Sequence, residues 1–254
     1  RPVTFTTIWS TVINGKIGMN PTVVIDYLPE SAAHYRDGHA IVVVDVMRAT
    51  TTATTAVSLG WRVFPARTTD EAFIIASTLK NPLMVGEIGG NTPYGFDLTN
   101  SPVQIARRSD RERPIIFVSS SGTQLILSAE GSQGVYLACF RNFSAVAEHI
   151  AHRHERIALI GAGTRGQFRR EDQMGCAWVA EKLVKMGYRT DSGKTDGYIS
   201  RWSGVSPEEA RKGKSAEYLL RSGQEEDLEF VIGHFDDLKT IPALKNGELV
   251  QAGK

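Results

Sequence analysis

Short runs of β-branched and apolar residues alternate with longer stretches whose apolar positions recur at helical spacing, and the alternation continues along most of the chain. The runs predict strands over Thr22–Tyr27, Ala40–Asp45, Arg62–Pro65, Leu83–Gly86, Pro114–Val118, Gly134–Ala138 and Arg156–Ile160. Several show little polar alternation, as expected of strands covered on both faces. Helices are expected between them, over Thr50–Leu59, Thr69–Leu79, Pro102–Arg108, Gly122–Ser128, Phe143–His152 and Glu171–Met186. Ser101 before Pro102 is an N-cap with proline at the first helical position, Asn142 can cap the next helix, and Gly187 can end the Glu171 helix. Thr190–Gly213, rich in Gly, Ser and charge, reads as a long loop or small excursion, Glu208–Ser222 as helical, and Leu228–Ile232 as a last strand or helix. Strand–helix alternation implies a mainly parallel or mixed sheet with helices on both faces. The reading is a polar N-terminal extension over residues 1–20 followed by a single α/β domain over 21–254.

Composition narrows the function classes. Of 254 residues, 41% are hydrophobic and 22% charged, an ordinary globular balance. The 29 basic and 28 acidic residues leave a formal charge of +1, so the global basic field of a non-specific nucleic-acid binder is absent. No apolar run approaches a membrane span, and Arg1–Asn20 shows no apolar signal core. Cys139 and Cys176 belong to no metal-type cluster and fit a reducing cytoplasm.

Ligands of open α/β sheets sit beyond the carboxyl ends of the strands, so the residues that follow each strand matter most. After Ile41–Val44 comes Asp45, with Arg48 three residues on and a helix start directly afterwards: a carboxylate for a hard cation, a guanidinium for phosphate oxygens, and free helix N–H groups. An Asp N-cap beside a solvated Arg explains the same residues. After Leu83–Gly86 comes Glu87-Ile88-Gly89-Gly90, then Asp97 and Asn100, a glycine-rich stretch whose backbone can approach a ligand closely. A plain surface loop explains its glycines but not its Phe-Asp-Leu-Thr-Asn run. Ser119-Ser120-Ser121-Gly122-Thr123 follows the next strand and offers successive hydroxyl and backbone donors to an anion, more than simple capping requires. Gly161, Gly163 and Gly166 match the dinucleotide fingerprint, but no clean second strand or ribose-binding acid follows. The Glu171-Asp172 pair at the next helix start suggests metal binding or water activation, although acids there also complement a helix dipole.

Taken together, DVMRATT (Asp45–Thr51), GEIGGNTPYGFDLTNSP (Gly86–Pro102), SSSGT (Ser119–Thr123), CFRNFSAVAE (Cys139–Glu148) and GAGTRGQFRRED (Gly161–Asp172) resemble, in order and spacing, the 2-phosphosulfolactate phosphatases of coenzyme M biosynthesis. The resemblance runs from about Thr22 to the end, through Leu219–Val231 and Ile241–Pro242. It implies a three-layer α/β/α fold, a Mg²⁺-dependent acid phosphatase, a homodimer, and phosphate esters of 2-hydroxycarboxylic acids as substrates. By position it implies Asp45, Arg48, Glu87, Glu171 and Asp172 as catalytic residues, with Asp45, Glu171 and Asp172 on the metal. Gly89, Gly90, Asp97, Asn100, Ser119, Ser120, Ser121, Gly122, Thr123 and Gly163 are the expected phosphate and substrate contacts. Ile88 stands where the family shows Arg, Ser121 where it often shows Asn, and Cys176-Ala177 where it shows Ala-Gly; the first two changes remove anion donors. The resulting expectation is hydrolysis of the phosphate monoester of a small acidic metabolite. A nicotinamide-dependent oxidoreductase using the GAGTRG loop and a non-catalytic anion-binding homologue are the alternatives.

Overall fold

The computed structural model describes residues 20–164 and 166–253, so the expected N-terminal extension lies, apart from Asn20, outside the described residues. Within them ten strands join one sheet: β1 (Thr22–Tyr27), β2 (Ala40–Val44), β3 (Val63–Ala66), β4 (Leu83–Gly86), β5 (Ile115–Val118), β6 (Gly134–Ala138), β7 (Arg156–Gly161), β8 (Arg189–Thr190), β9 (Pro242–Lys245) and β10 (Glu248–Gln251). Their order is β4-β5-β3-β10-β9-β6-β2-β7-β1-β8. The helices are α1 (Ala32–Tyr35), α2 (Ala49–Ser58), α3 (Thr69–Ser77), α4 (Pro102–Ala106), α5 (Gly122–Ser128), α6 (Phe143–Ile150), α7 (Arg170–Lys185), α8 (Gly193–Trp202), α9 (Lys214–Arg221) and α10 (Glu225–Gly233), with 3₁₀ turns at Pro29–Ser31 and Pro207–Lys212.

The β2 strand shows why the sheet is covered on both sides. Its five residues are all buried, and it runs parallel to β6 and β7. Because side chains alternate across a strand, Ala40, Val42 and Val44 enter one apolar core with Phe140, Phe143, Met174 and Trp178. Ile41 and Val43 enter a second core with Ala49, Ala53, Leu125 and Ile126. Two cores on opposite faces of one strand make the three-layer arrangement. The α2 helix is threonine-rich, yet eight of its ten residues are buried. Thr51 Oγ1 donates to the Val46 carbonyl and Thr55 Oγ1 to the Thr51 carbonyl, both at 2.8 Å, whereas the hydroxyls of Thr52 and Thr54 are buried without a partner.

Two blocks of parallel strands, β4-β5-β3 and β6-β2-β7-β1-β8, meet only through the antiparallel β9–β10 hairpin. Three antiparallel steps in succession reverse the strand direction between the blocks. In a flat sheet their carboxyl ends would then lie on opposite edges, yet Asp45 after β2 and Glu87 after β4 line one cavity. The sheet is therefore not flat between the two blocks. Each block is joined to the hairpin through a single residue pair, Leu249 with Val63 and Tyr136 with Ala243.

Several expectations need correction. Thr190–Gly213 is not a loop: it holds the end of β8, α8 and the 3₁₀ turn at Pro207–Lys212. Gly193 and Gly197 weaken its helical signal, but Ser192 caps α8, the Ile25 N–H donates to Thr195 Oγ1 and Trp178 Nε1 donates to the Trp202 carbonyl. Glu208–Ser222 is divided at Gly213 into a 3₁₀ turn and α9, while Leu228–Ile232 belongs to helix α10. The β9–β10 hairpin was not expected, although its Asn246-Gly247 turn, with φ of 51° and 76°, is a hairpin signal. Asn142 stands at the start of α6, but its Oδ1 accepts from the Cys139 N–H and its Nδ2 donates to the Leu137 and Thr240 carbonyls. Tying distant strand ends displaced the capping role.

Candidate functional site

Asp45 follows β2 in a turn held by its own backbone. The Thr50 N–H donates to the Asp45 carbonyl at 2.8 Å, Thr50 Oγ1 accepts from the Asp45 N–H at 3.0 Å, and the Ala49 N–H donates to Asp45 Oδ1 at 3.3 Å. Burial, then the neighbouring charges of Glu87 and Glu171, push the Asp45 carboxyl up to about 7; the Ala49 N–H and the Arg48 charge oppose them.

Glu171 and Asp172 reach the same place on the first turn of α7. A Cβ on Gly175 would stand 2.9 Å from Val44 Cγ1, so glycine lets α7 ride directly over the end of β2. Asp172 is buried, with Oδ1 accepting from the Val46 N–H at 2.9 Å and Oδ2 from the Gly163 N–H at 3.4 Å. Burial and the charges of Glu171 and Asp45 hold its carboxyl well above the usual range. Glu171 is also buried; its Oε2 has no hydrogen-bond partner, and burial raises its carboxyl against the influence of Ser215, Arg169 and Arg170. Among the described residues no group of three or more His, Cys, Asp or Glu is gathered tightly enough to hold a metal ion unaided. Both Asp172 oxygens already accept from backbone N–H groups, whereas Glu171 Oε2 is unpartnered.

Glu87 is a buttress for the glycine-rich loop. Its Oε1 accepts from the Ser120 N–H at 2.7 Å, and its Oε2 from Ser120 Oγ at 2.9 Å and the Gly90 N–H at 2.7 Å. The Gly89 N–H donates in turn to Ser120 Oγ at 2.8 Å. Ser119 and Thr123 are buried and bonded to each other, so they build the turn instead of facing a ligand. Asp97 lies outside the cavity: its Oδ2 accepts from the Met84 N–H at 2.9 Å and faces Arg113 at 3.3 Å, pinning the loop to β4. Gly163 lines a neighbouring cavity with Ser120, Ser121 and Thr164. The GAGTRG segment does not open directly on a helix, since Thr164 and Gln167 pair in a tight turn and α7 begins at Arg170. That departs from the strand–glycine–helix context of a dinucleotide site.

The cavity itself measures about 620 Å³, within the usual range for small-ligand sites. Asp45, Arg48, Glu87, Gly89, Gly90, Asn100, Ser120 and Ser121 line it. Asn100 is buried with Oδ1 unpartnered, and Arg48 is buried against Asp227, Nη1 to Oδ2, at 2.5 Å. Ile88 is not among the lining residues; its side chain is exposed. The sequence reading missed the opposite wall, which α9 supplies through Lys214, Ser215, Glu217, Tyr218 and Arg221, with Arg169 nearby; Arg221 is ion-paired with Glu217 at 3.2 Å. Lys214, Tyr218 and Arg221 share one helical face by spacing, the only advance sign of this wall. Tyr218 closes it against the glycine loop by donating to the Gly90 carbonyl at 2.9 Å.

A mixed, mostly parallel α/β sheet whose strand ends bring paired carboxylates and cationic side chains to one cavity defines an enzyme of small anionic ligands. A family model described as 2-phosphosulpholactate phosphatase matches residues 26–247. A probable 2-phosphosulfolactate phosphatase from Deinococcus radiodurans is 35% identical over 234 residues, covering 90% of this chain and 95% of that protein. One from Thermotoga petrophila is 33% identical over 210 residues, 82% of this chain and 90% of the relative. Another, from Caldanaerobacter subterraneus, is 30% identical over 216 residues, 82% and 88% of the two chains. The chain belongs to the 2-phosphosulfolactate phosphatase family, a family of phosphoric monoester hydrolases.

Proposed function

We propose that this chain hydrolyses the phosphate monoester of a small acidic, 2-hydroxy-acid-like metabolite, 2-phosphosulfolactate or a close analogue, with Mg²⁺ as cofactor. The observation that carries this reading is one cavity lined by the carboxylate of Asp45 and by the cations Arg48, Arg169, Lys214 and Arg221, with Glu171, buried and with Oε2 unpartnered, near enough behind it to raise the Asp45 carboxyl. Mg²⁺ characteristically takes one or two carboxylates and completes its shell with water and substrate phosphate. The unpartnered Oε2 of Glu171 and the raised carboxyl of Asp45 fit that need, and these two residues would hold the ion. When bound, it supplies positive charge to the phosphate oxygens.

The remaining work falls to the protein's own donors. Arg48 and Ser121 orient the phosphoryl oxygens, since phosphoryl transfer depends mainly on positioning and charge stabilisation. Glu87 holds that loop in place, and Asp172 fixes the turns that carry Asp45 and Gly163. The α9 cations face the substrate's acid group. Among the described residues no helix is long and apolar enough to cross a membrane. The two free, buried cysteines fit a cytoplasmic setting, and family resemblance supports a homodimer.

The deciding experiment is hydrolysis of a generic aryl phosphate with Mg²⁺ or EDTA by the wild type, Asp45→Asn and Glu171→Gln. Turnover should require the metal and fall by roughly two orders of magnitude or more in each variant, as when a group stabilising transition-state charge is removed. Near-wild-type turnover in both variants would end this assignment. A screen of hydroxy-acid, sugar and nucleotide monoesters then identifies the substrate.

A further inference from the structure

Among the described residues, Arg48 is the only arginine of the cavity that is buried, and a carboxylate from a remote part of the chain accounts for its position. Asp227 lies on α10, is 4% exposed and receives three donors: Arg48 Nη1 at 2.5 Å, Ser101 Oγ at 2.6 Å and the Val103 N–H at 3.3 Å. Ser101 and Val103 sit at the start of α4, directly after Asn100 in the cavity wall. Asp227 is thus held from one side by α4 and holds Arg48 from the other.

We infer that Asp227 is the positioning residue for Arg48, presenting a pre-oriented guanidinium to the anion; the inference rests on the phosphate-ester reading of the cavity. A solvent-excluded ion pair is a poor device for stability alone, because the cost of desolvating both charges offsets most of their attraction. What such a pair does supply is geometry. An arginine has several rotatable bonds, and one free in a cavity would have to be ordered by each incoming ligand. Among the described residues, Asp227 is the only partner bonded to the Arg48 side chain, and it engages Nη1 alone. The other guanidinium donors remain for a ligand, and a guanidinium offers them in a fixed planar fork.

A purely structural staple between α4 and α10 is the competing account, and the Ser101–Asp227 bond would serve it without Arg48. Chemical rescue separates the two. With an aryl phosphate and Mg²⁺, millimolar guanidinium should restore turnover to Arg48→Ala, because Asp227 still offers it a seat. It should fail to restore Arg48→Ala/Asp227→Asn. Asp227→Asn alone should lower kcat by roughly tenfold to a hundredfold with little change in KM, the scale of a small misplacement of a catalytic group. Equal rescue in both backgrounds overturns the inference.

If Asp227→Asn does not fold, Ser101→Ala loosens Asp227 while leaving its charge; kcat should fall several-fold, and an unchanged kcat overturns the inference. If the wild type hydrolyses no monoester, the functional reading has failed. The positioning role is then read from binding of inorganic phosphate by calorimetry, about tenfold weaker in Asp227→Asn if the oriented donor is lost. Equal affinity overturns it.

Discussion

Gly122 lies so close to Asp45 that a Cβ on it would stand 2.6 Å from Oδ2 and 2.4 Å from the Ala49 Cβ. The α5 helix therefore starts against the carboxylate itself, which a side chain of any size would displace. Gly122→Ala should lower phosphatase turnover by at least tenfold and destabilise the fold by about 1–3 kcal/mol, the usual cost of overpacking. Steady-state kinetics and a thermal melt test both parts; a variant with wild-type turnover would show that Asp45 can move without consequence.

Without a bound cation, stability should fall as pH rises. Asp45 is raised to about 7, and Glu171 and Asp172 are also raised, each chiefly by burial. The native protein keeps protons that the unfolded chain releases from about pH 4 upward, so stability present at low pH is lost as pH rises toward 7 and beyond. The loss is at most about 1.4 kcal/mol per pH unit for each retained proton. Melts in EDTA should give a lower Tm near pH 8 than near pH 5, with Mg²⁺ recovering the difference at pH 8. A Tm that climbs over that interval in EDTA contradicts the carboxylate assignments.

The Tyr218–Gly90 bond joins α9 to the glycine loop, so its loss should loosen the cavity wall more than the fold. Tyr218 is 42% exposed, and Tyr218→Phe is expected to cost no more than about 0.5–1.5 kcal/mol, the net worth of one hydrogen bond. KM should rise while Tm moves little. Unchanged kinetics would mean that the wall stands without that bond.

Asp97→Asn should keep near-wild-type turnover, because Asp97 lies outside the cavity and an Asn oxygen can still accept from the Met84 N–H. A large loss of kcat with an unchanged melt would return Asp97 to the site.

How far the sequence could be read depended on the range of the forces involved. The apolar runs marked β1, β4 and β6 at their observed bounds, because a strand covered on both faces needs little beyond its own residues. Helix α8 was missed because a polar, glycine-containing segment becomes helical only when Trp202 and Thr195 find distant partners. In the site, Asp45, Arg48, Glu87 and Glu171 stood out as chemistry at strand ends and helix starts. Their division of labour did not: Glu87 buttresses a loop and Asp172 ties two turns, because backbone N–H groups from remote segments claim their oxygens.

By itself the sequence determined the three-layer α/β pattern, the cluster of acids and anion donors beyond the strands, and the family. These are written in periodicity and in short local motifs. Only the tertiary structure decided how the two strand blocks meet through the β9–β10 hairpin, the charged wall on α9 and the pairing of Arg48 with Asp227. Each of these depends on which surfaces meet when separate elements bury their apolar faces together, and residues 179 positions apart carry no local mark of that meeting.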